Sequence, residues 1–345
     1  GESTTTFFWN KNNFLGKIRN DNNHDLTFEY DDADRLKKRI DYLLNEVEFT
    51  YDANSNPTEL IEREVSQFGS PTQTFTTRFN YDNLNRPLQA IDNASNTASY
   101  TYDSRGNVAT LADTKGNTTH FEVDGLNRPA RITYDLRAGG GAPGAVIDTV
   151  VVNQTWDGNS RRTSRTDDNG NTTLHNYDPL DRLTLVTYAD GTTSSYSYNP
   201  NSWILSLTDQ NGTLVTNTHD ALGRLIARTI TPAAGVLGAA SETYGYDGFS
   251  HLTLARNNFS TSTFSYDSLG NLKTQSQDGL VTTSTFDGIG NRTKIEYPGG
   301  RVIDQSFDPL ERLLFVTEGG INLASYQYWR PGLRPEVRGY KNTVN

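Results

Sequence analysis

Residues 101–121 read TYDSRGNVATLADTKGNTTHF, and this stretch sets the pattern of the whole chain. Tyr102 and Asp103 are followed by small or polar residues, then by a short alternating segment, and then by a second turn-like stretch that begins at Asp113. Alternation with a period of two residues is typical of a β-strand, and Asp, Gly and Asn favour tight turns. The stretch therefore predicts one unit of strand, turn, strand and turn.

The same unit recurs along the chain, which is the signature of a repeat architecture. Fifteen copies start between Trp9 and Tyr328, and nine of the fourteen intervals are 21 residues long. Over the thirteen clear copies, from Tyr30 to Phe307, position one is Phe, Trp or Tyr eleven times and position two is Asp twelve times. Position six is Arg seven times and Asn four times.

Each motif position has a mechanical interpretation. The Asp is expected to accept hydrogen bonds from backbone N–H groups as the chain turns, and the Gly, Asn, Asp or Ser that follows tolerates a left-handed conformation. An aromatic residue often lies two positions before the first, which puts both rings on one face of a strand. We assign a structural role in these turns to Tyr30, Asp31, Tyr51, Asp52, Tyr81, Asp82, Arg86, Tyr102, Asp103, Asp124, Arg128, Trp156, Asp157, Tyr177, Asp178, Arg182, Asp220, Arg224, Tyr246, Asp247, Tyr266, Asp267, Phe286, Asp287, Phe307, Asp308 and Arg312.

The second turn falls about half a period after the motif, for example at Asp113 and Asp167. Consecutive repeats then form an antiparallel meander with motif turns on one edge and second turns on the other. Roughly thirty strands at ~4.8 Å each would make a ribbon ~140 Å wide, and open twisted sheets of more than about ten strands curl. The sequence predicts an all-β, continuous antiparallel meander of ~21-residue hairpin repeats that curls into a spiral, hollow tube or shell.

The low apolar content supports a thin wall, since only 34% of 345 residues are hydrophobic, Tyr included. Disorder is disfavoured by 15 Phe, 4 Trp and 18 Tyr. We predict a single repeat domain over residues 1–337 and a tail over 338–345. No segment shows sustained helical periodicity; residues 35–44 come nearest and are short.

Three long intervals place extra residues in the same half of the repeat. These are residues 62–72, 135–149 and 231–242, and all three are expected to project from the second-turn edge as loops. Exposed loops are frequent binding sites, but they are also where neutral insertions accumulate. Both interpretations stay open at this point.

Composition excludes several classes of function. The net charge is −10 and Lys and Arg form no basic cluster, so nucleic-acid binding is not expected. Cys is absent, which removes disulfides and thiolate chemistry. The longest strongly apolar run, Leu313 to Val316, is too short to span a membrane. Because the sequence has no Met, we expect a processed chain or part of a longer one.

Catalytic, cofactor and metal motifs are not found. The segment GGGAPG, residues 139–144, fits a phosphate-loop spacing but leads into a β-branched strand sequence, which favours a loop. Oxygen-rich second turns could hold Ca²⁺, and the aromatic residues could stack on sugars, but turn capping and cross-strand packing explain both. The histidines are scattered without metal-ligand spacing, at His24, His120, His175, His219 and His251.

These repeats resemble the YD-repeat family, also called RHS repeats, which includes bacterial Rhs polymorphic toxins, cocoon components of Tc toxins, and teneurins. The resemblance rests on the consensus Y-D-x-x-G-R/N-L followed by x-D-x-x-G-N-x-T, which residues 101–121 match closely. It implies a spiralling sheet around a hollow shell that contains or presents a cargo. The closing segment that carries a self-cleaving aspartate in many Rhs proteins is not matched, because WRPGLRP at Trp329 shares only a fragment of it.

The resemblance and the repeat together predict a non-catalytic extracellular scaffold of a bacterial protein, part of a shell around a cargo such as a toxin domain. The expected partners are that cargo or further repeats of the same parent protein. A surface adhesin, a carbohydrate-binding module for cell-surface glycans, or a filament subunit remains the alternative. These would use the loops or self-associate through terminal strand edges.

Overall fold

Nearly all regular structure in this chain is β-strand. The computed structural model describes residues 5–20, 23–65, 71–140, 144–329 and 336–341. Within those ranges it contains thirty strands and a single three-residue 3-10 turn, Ala138–Gly140. The predicted all-β fold class is therefore confirmed. No helix in the described ranges has the length and apolar character needed to cross a membrane.

Contacts group the chain into two units. Unit 2 comprises Thr97–Ser262, and unit 1 comprises Gly1–Asn96 together with Thr263–Asn345. The strands of unit 2 are β9 (Thr97–Tyr102), β10 (Val108–Ala112), β11 (Thr118–Val123), β12 (Pro129–Arg137), β13 (Val146–Trp156), β14 (Arg162–Thr166), β15 (Thr172–Tyr177), β16 (Leu183–Thr187), β17 (Thr193–Tyr198), β18 (Ile204–Thr208), β19 (Leu214–His219), β20 (Leu225–Thr231), β21 (Ser241–Tyr246) and β22 (Leu252–Asn257).

Unit 1 is built from both ends of the sequence. The boundary between the units falls within β23 (Thr261–Tyr266). The other strands of unit 1 are β1 (Thr6–Trp9), β2 (Leu15–Arg19), β3 (Asp25–Tyr30), β4 (Leu36–Ile40), β5 (Glu46–Tyr51), β6 (Pro57–Glu64), β7 (Gln73–Tyr81), β8 (Pro87–Ile91), β24 (Leu272–Gln277), β25 (Leu280–Phe286), β26 (Arg292–Glu296), β27 (Val302–Phe307), β28 (Leu313–Glu318), β29 (Ile321–Trp329) and β30 (Glu336–Lys341).

Within each unit, strands that follow one another in sequence pair antiparallel. In unit 2, β15 pairs with β14 on one side and with β16 on the other, and β16 pairs in turn with β17. In unit 1, β3 pairs with β2 and β4 in the same way. This is the predicted meander of hairpins. Motif turns join odd to even strands, so they lie on the edge opposite the second turns.

A β-bulge precedes most motif turns in the described part of the chain. The register of the β15–β16 pair shifts between Asn176 and Tyr177, and that of the β17–β18 pair shifts between Ser197 and Tyr198. A bulge re-aims the side chain that follows it. The aromatic residue at position one is thereby turned out of the regular alternation at the point where the chain leaves the strand.

All three expected loops are partly strand at their ends, so that expectation was wrong in part. Residues 135–137 and 146–149 continue β12 and β13, which pair as far as Arg137 and Val146. Residues 62–64 likewise belong to β6, paired with β7. β-branched residues on both sides of the insertion favour pairing over a loop. Residues 232–240 form a loop between β20 and β21, while Thr231 and residues 241–242 belong to those strands. Residues 66–70 and 141–143 lie outside the described residues.

The predicted tail starts inside a strand. Residues 338–341 belong to β30, which pairs antiparallel with β29. Residues 330–335, which contain most of WRPGLRP, and residues 342–345 lie outside the described part of the chain. The division into one repeat domain and a tail stays a prediction.

Neither unit has a solid apolar core. Among the described residues, the buried apolar side chains are few, and no large side chain is completely buried. The six apolar residues that are buried are Val47, Val152, Val186, Ile295, Ile303 and Ala324. Most described strand residues are half-buried, and in strands such as β19 and β24 half-buried and exposed residues alternate. Cohesion must therefore come largely from hydrogen bonds and from contacts at the turns.

In unit 1 the two ends of the sequence meet at their turns. His24, in the second turn between β2 and β3, lines a cavity of about 330 Å³ together with Asp287 and Asp308 of two successive motif turns. One repeat later, the second turn at Asp41 lies within electrostatic reach of Arg312. Burial raises the pKa of Asp41, and the positive charge of Arg312 opposes that rise. We call this contact the unit 1 seam; it shows that the meander returns on itself within unit 1.

The seam covers side chains that are exposed in other repeats. Asp308 is only 4% exposed, and Leu310 at position four of its motif turn is half-buried. By contrast, Leu180 at the same position of a unit 2 motif is 65% exposed. The matched positions differ in exposure, and we attribute that difference to the seam.

Replacing the covered leucine should therefore destabilise the protein more than replacing the exposed one. We expect Leu310→Asn to lower the free energy of unfolding by about 1 kcal/mol, since half-burial of a leucine contributes roughly that much. Leu180→Asn, the matched control, should change it by less than about 0.5 kcal/mol. Urea titrations followed by circular dichroism measure both. Equal effects of the two substitutions would contradict the seam.

Candidate functional site

The motif aspartate caps its own turn. In the repeat that contains Asp178, the Oδ1 oxygen accepts hydrogen bonds from the backbone N–H groups of Leu180 at 2.9 Å and Arg182 at 3.0 Å. The backbone closes the turn as well, since Asp178 N–H donates to the carbonyl of Arg182 at 2.9 Å. Asp181, at position five, has φ of 64°, the left-handed conformation that Asp, Asn and Gly tolerate best. One carboxylate oxygen thus fixes two donors that the turn would otherwise leave unsatisfied.

The arginine at position six joins this turn to the next repeat. Arg182 donates from Nε to Oδ2 of Asp178 at 2.7 Å, while its Nη2 lies 2.6 Å from the same oxygen. Its Nη1 donates to the backbone carbonyl of Asn199 in the following motif turn at 3.0 Å. The guanidinium is planar and has donors on several sides, so one side chain reaches both turns at once.

The aromatic residue at position one completes the contact from the other side. Tyr198 donates its hydroxyl hydrogen to the carbonyl of Leu183, at the start of the strand that follows Arg182, at 2.7 Å. The guanidinium carbon of Arg182 lies 4.7 Å from the centre of the Tyr198 ring, within the range of a cation–π contact. Together, the carboxylate, the guanidinium and the ring form what we call the YDR clamp between consecutive repeats.

The clamp recurs along both units. The aromatic residues at position one that donate to the start of the preceding even strand are Tyr30, Tyr51, Tyr81, Trp156, Tyr177, Tyr198 and Tyr246. The arginines that bond the carboxylate of their own turn are Arg35, Arg86, Arg128, Arg161, Arg182, Arg224 and Arg312. Asn replaces Arg at position six in the turns of Asp52, Asp103, Asp267 and Asp287, and its Nδ2 donates to the same oxygen.

The remaining assigned residues either follow this scheme or make only part of it. Asp124, Asp157, Asp220, Asp247 and Asp308 each accept two backbone N–H groups in the way that Asp178 does, and so do Asp31 and Asp82. Phe286 and Phe307 end β25 and β27 at position one but carry no polar atom to donate. Tyr102 and Tyr266 end β9 and β23 at the same position.

Several residues of the clamp were missed in the sequence. Arg35, Arg161 and Tyr198 make the same contacts as their counterparts but are not among the assigned residues. His251, also missed, takes the place of Arg at position six, with Nδ1 at 2.9 Å from Oδ2 of Asp247. Scoring every copy strictly by motif position would have found all four, since each falls at the expected spacing.

Second turns use the same capping chemistry on the opposite edge. Oδ1 of Asp113 accepts from the backbone N–H groups of Lys115 and Asn117, and Oδ2 accepts from Nδ2 of Asn117 at 3.0 Å. The turns at Asp41, Asp92 and Asp167 repeat that arrangement. Oxygen-rich composition in these turns is thus used for backbone capping.

The electrostatics of the clamp hold its carboxylates in the charged form. The side-chain hydrogen bond from the arginine, aided by the backbone donors, lowers the pKa of Asp31, Asp82, Asp124 and Asp178. A general base works best with a pKa near the operating pH and a free lone pair for the proton. These carboxylates have neither, because each accepts three donors within its own turn. They are suited to holding the chain together.

The histidines are not brought together. His175 lies on β15, where burial lowers its pKa, while the Nδ1 atom of His24 at the unit 1 seam is buried without a hydrogen-bond partner. Across the described ranges, no group of three or more His, Asp or Glu side chains is arranged to hold a metal ion.

The geometry of position six predicts that lysine cannot replace arginine. Arg182→Lys keeps the charge but loses the fork that bonds Asp178 and Asn199 together. We expect a loss of about 1 kcal/mol in the free energy of unfolding. Arg78→Lys is the matched control, because Arg78 is 62% exposed and contacts only Glu59, and it should change stability by less than about 0.5 kcal/mol. Urea titration of the two variants provides the comparison, and an unaffected Arg182→Lys protein would exclude the clamp as a stabilising contact.

The lowered carboxyl pKa values predict acid sensitivity. A folded-state pKa below the unfolded value adds stability that is complete above the ordinary Asp pKa of about 3.9 and is lost as pH falls through the lowered value. Hydrogen bonding to Arg19 lowers the pKa of Asp25 to about 2, so the loss should extend to that pH. We expect the melting temperature to be level between pH 7 and pH 5 and to fall steeply below about pH 4. A melting temperature that stays level to pH 2 at constant ionic strength would contradict this.

The variant Asp178→Asn separates the contribution of one motif carboxylate to the pH dependence of stability from that of the other titratable groups. Asp178→Asn should lower the melting temperature at pH 7, because the guanidinium of Arg182 then faces a neutral amide. The variant should also lose less stability on acidification than the parent protein does, since one linked group has been removed.

Comparison with known proteins agrees with this geometry. The family described as RHS Repeat matches residues 156–193 and 266–302. A crystal structure named TcdB2-TccC3-Cdc42 is similar over 97% of this chain and 22% of its own, at 12% identity and a TM-score of 0.63. Another, TcdB2-TccC3 without its hypervariable C-terminal region, is similar over 97% of this chain and 24% of its own, at 12% identity and a TM-score of 0.50.

At this identity the likeness concerns the fold alone, and the chain spans less than a quarter of the length of these two structures. No curated protein matches the sequence significantly. The two matched segments begin at Trp156 and Tyr266, which are both first positions of the motif. The family match shows RHS repeats at residues 156–193 and 266–302, and the YDR clamp and the antiparallel meander recur in the neighbouring repeats of the chain.

Proposed function

We propose that the chain is a non-catalytic structural scaffold, a section of an RHS-repeat wall that encloses or presents a cargo such as a toxin domain. The single observation that carries the proposal is the YDR clamp, which stabilises a sheet without a solid core. A container needs a wall that holds its shape while leaving the space beside it free. The YDR clamps along the motif-turn edge can stabilise such a wall without filling the space beside it.

The burial pattern supports a wall in preference to a packed globule. Strands such as β19 and β24 alternate between half-buried and exposed side chains, and few described strand residues are fully buried. Neither face of these strands is therefore packed as deeply as the inner face of a sheet in a solid globule. Among the described residues only six apolar side chains are buried, four in unit 1 and two in unit 2, which is too few for a solid core in either unit. Stability is instead distributed over repeated local contacts between neighbours, as in other repeat proteins.

The absence of a catalytic role is part of the proposal. The motif carboxylates, which are the most regular titratable groups in the chain, are each occupied by the donors of their own turn. In Asp178, for example, the side-chain hydrogen bond from Arg182 lowers the pKa of the carboxyl and keeps its Oδ2 oxygen engaged. A hydrolytic pair would need two carboxyl groups with separated pKa values facing one substrate.

The partner and the location follow from the resemblance. The similar solved structures are named as assemblies of TcdB2 with TccC3, and one of them also names Cdc42. By analogy, the parent protein of this chain is a secreted bacterial toxin component, and the wall acts outside the cytoplasm of the producing cell. Its partners are other sections of the same repeat shell and the cargo within it.

Small-angle X-ray scattering of the full chain tests the wall. A solid globule of this length has a radius of gyration of about 20 Å. A wall around empty space places its mass away from the centre, so we expect a value clearly above that and a distance distribution shifted towards long distances. A compact globular protein of equal mass is the control. A radius of gyration near 20 Å would overturn the proposal.

A further inference from the structure

The cavity of about 330 Å³ at the unit 1 seam lies between two successive motif turns. Its lining includes Asp287 and Asn291, which are positions two and six of one turn. It also includes Phe307, Asp308 and Pro309, which are positions one to three of the next turn. In a YDR clamp, the arginine side chain lies among these same positions.

Five other repeats hold a guanidinium at the corresponding place. In each of them, Nη1 of the arginine at position six donates to the backbone carbonyl at position two of the following turn. The guanidinium carbon also lies between 4.6 and 5.8 Å from the centre of the aromatic ring at position one of that turn. The five residues are Arg35, Arg128, Arg161, Arg182 and Arg224.

At the cavity, position six is an asparagine, whose side chain is shorter. Nδ2 of Asn291 donates to Oδ2 of Asp287 at 2.9 Å, and its described contacts do not extend to the next turn. Within the described part of the chain, the carbonyl of Asp308 accepts only the backbone N–H of Glu311, at 2.9 Å. A carboxylate oxygen, a carbonyl oxygen and the ring of Phe307 therefore border the cavity without the guanidinium that joins such groups elsewhere.

Another asparagine turn shows that the contact is made by other means when arginine is not at position six. Beside Asn107, the guanidinium of Arg105 at position four donates from Nη1 to the carbonyl of Asp124 at 3.0 Å. Asn107 also donates to Oδ1 of Asn127 in the next turn at 2.9 Å. In the turn that borders the cavity, position four is Ile289, whose side chain has no donor.

A histidine on the opposite side of the seam adds an unused hydrogen-bonding atom. His24 lines the same cavity, and its ring packs against that of Tyr42 with centroids 4.4 Å apart. Its Nδ1 atom is buried and has no hydrogen-bond partner. A neutral imidazole can accept a hydrogen bond at one ring nitrogen, so an N–H donor in the cavity would satisfy this atom.

The charges around the cavity favour a cation. Asp308 is already paired, since Nη2 of Arg312 lies 2.6 Å from its Oδ2. Asp287 accepts only neutral donors, namely two backbone N–H groups and one side-chain amide. Arg292 lies beside the cavity, with Nε 3.4 Å from Oε1 of Gln305, and none of its described contacts is with Asp287.

We propose that this cavity binds a guanidinium cation, carried either by a small alkylguanidine or by an arginine side chain of a partner. The cation donates to Oδ2 of Asp287 and to the carbonyl of Asp308, lies against the ring of Phe307, and offers a further N–H to Nδ1 of His24. Guanidinium suits the site better than ammonium, because it is planar and has donors on several sides. The inference does not depend on the proposed wall.

Titration calorimetry of the full chain with butylguanidinium tests the site. We expect a dissociation constant of about 1 mM, which is reasonable for a ligand of so few atoms. Butylammonium should bind at least about tenfold more weakly, because it lacks the planar set of donors. Butylurea, which has a similar shape but no charge, should not bind.

Three variants connect the binding to the cavity. Asn291→Arg places a guanidinium of the chain itself in the cavity, so it should abolish binding and raise the melting temperature of the ligand-free protein. Asn107→Arg, the matched control in unit 2, should leave binding unchanged. Asp287→Asn keeps an oxygen to cap the turn but removes the charge, and it should weaken binding at least about tenfold.

The peptide acetyl-Gly-Arg-Gly amide distinguishes the two sources of the cation. Binding as tight as that of butylguanidinium would support an arginine of a partner, whereas binding of butylguanidinium alone would support a free small compound. The inference is overturned if butylguanidinium shows no saturable binding, or if butylammonium or butylurea binds equally well. Binding to the Asn291→Arg protein that matches binding to the parent protein would also overturn it.

Discussion

In nearly every repeat the structure depends on one carboxylate, which caps its own turn and holds the side chain that reaches the next repeat. The Oδ1 atom of Asp178 closes the backbone turn, and Oδ2 holds the guanidinium of Arg182, which then reaches the carbonyl of Asn199. A single pair of this kind on a protein surface contributes little stability, because solvent screens it. Here the pair is tied to backbone groups at both ends and is repeated along the edge. The sheet can therefore do without the apolar core on which most domains rely.

The aromatic residue makes the contact directional. Tyr198 lies under the arginine of the preceding repeat and bonds the strand that follows that arginine. The β-bulge before the ring aims it there, and without the bulge the ring would stay in the regular alternation of the strand. Each repeat thus contacts the repeat before it, and strands that follow one another in sequence become neighbours in the sheet. A phenylalanine, as at Phe286, keeps the packing but not the hydrogen bond.

Much of this fold could be predicted from the sequence, because its determinants are local. Turn residues at fixed spacing and a period of two along the strands predicted the hairpins and the two turn edges. The hydrogen bond from Arg182 to Asn199 could not be predicted in this way, since it depends on the distance in space between two turns that start 21 residues apart in the sequence. The unit 1 seam could not be predicted either, because the period of the repeat carries no information on which distant turns meet. At 135–149 the Gly and Pro residues dominated the interpretation, and the β-branched residues from Val146 onwards, which extend the hairpin, were undervalued.

The lengthened hairpin formed by β12 and β13 has a consequence for how such proteins diversify. Its added residues pair with one another beyond the edge of the neighbouring strands, so they leave the register on either side unchanged. The motif edge, by contrast, keeps a nearly constant length, because a guanidinium has a fixed span. The second-turn edge of the sheet can thus vary in length during evolution, while the motif edge keeps a fixed spacing between repeats. Insertions that add new surface groups would then occur at the second-turn edge, where they leave the spacing between repeats unchanged.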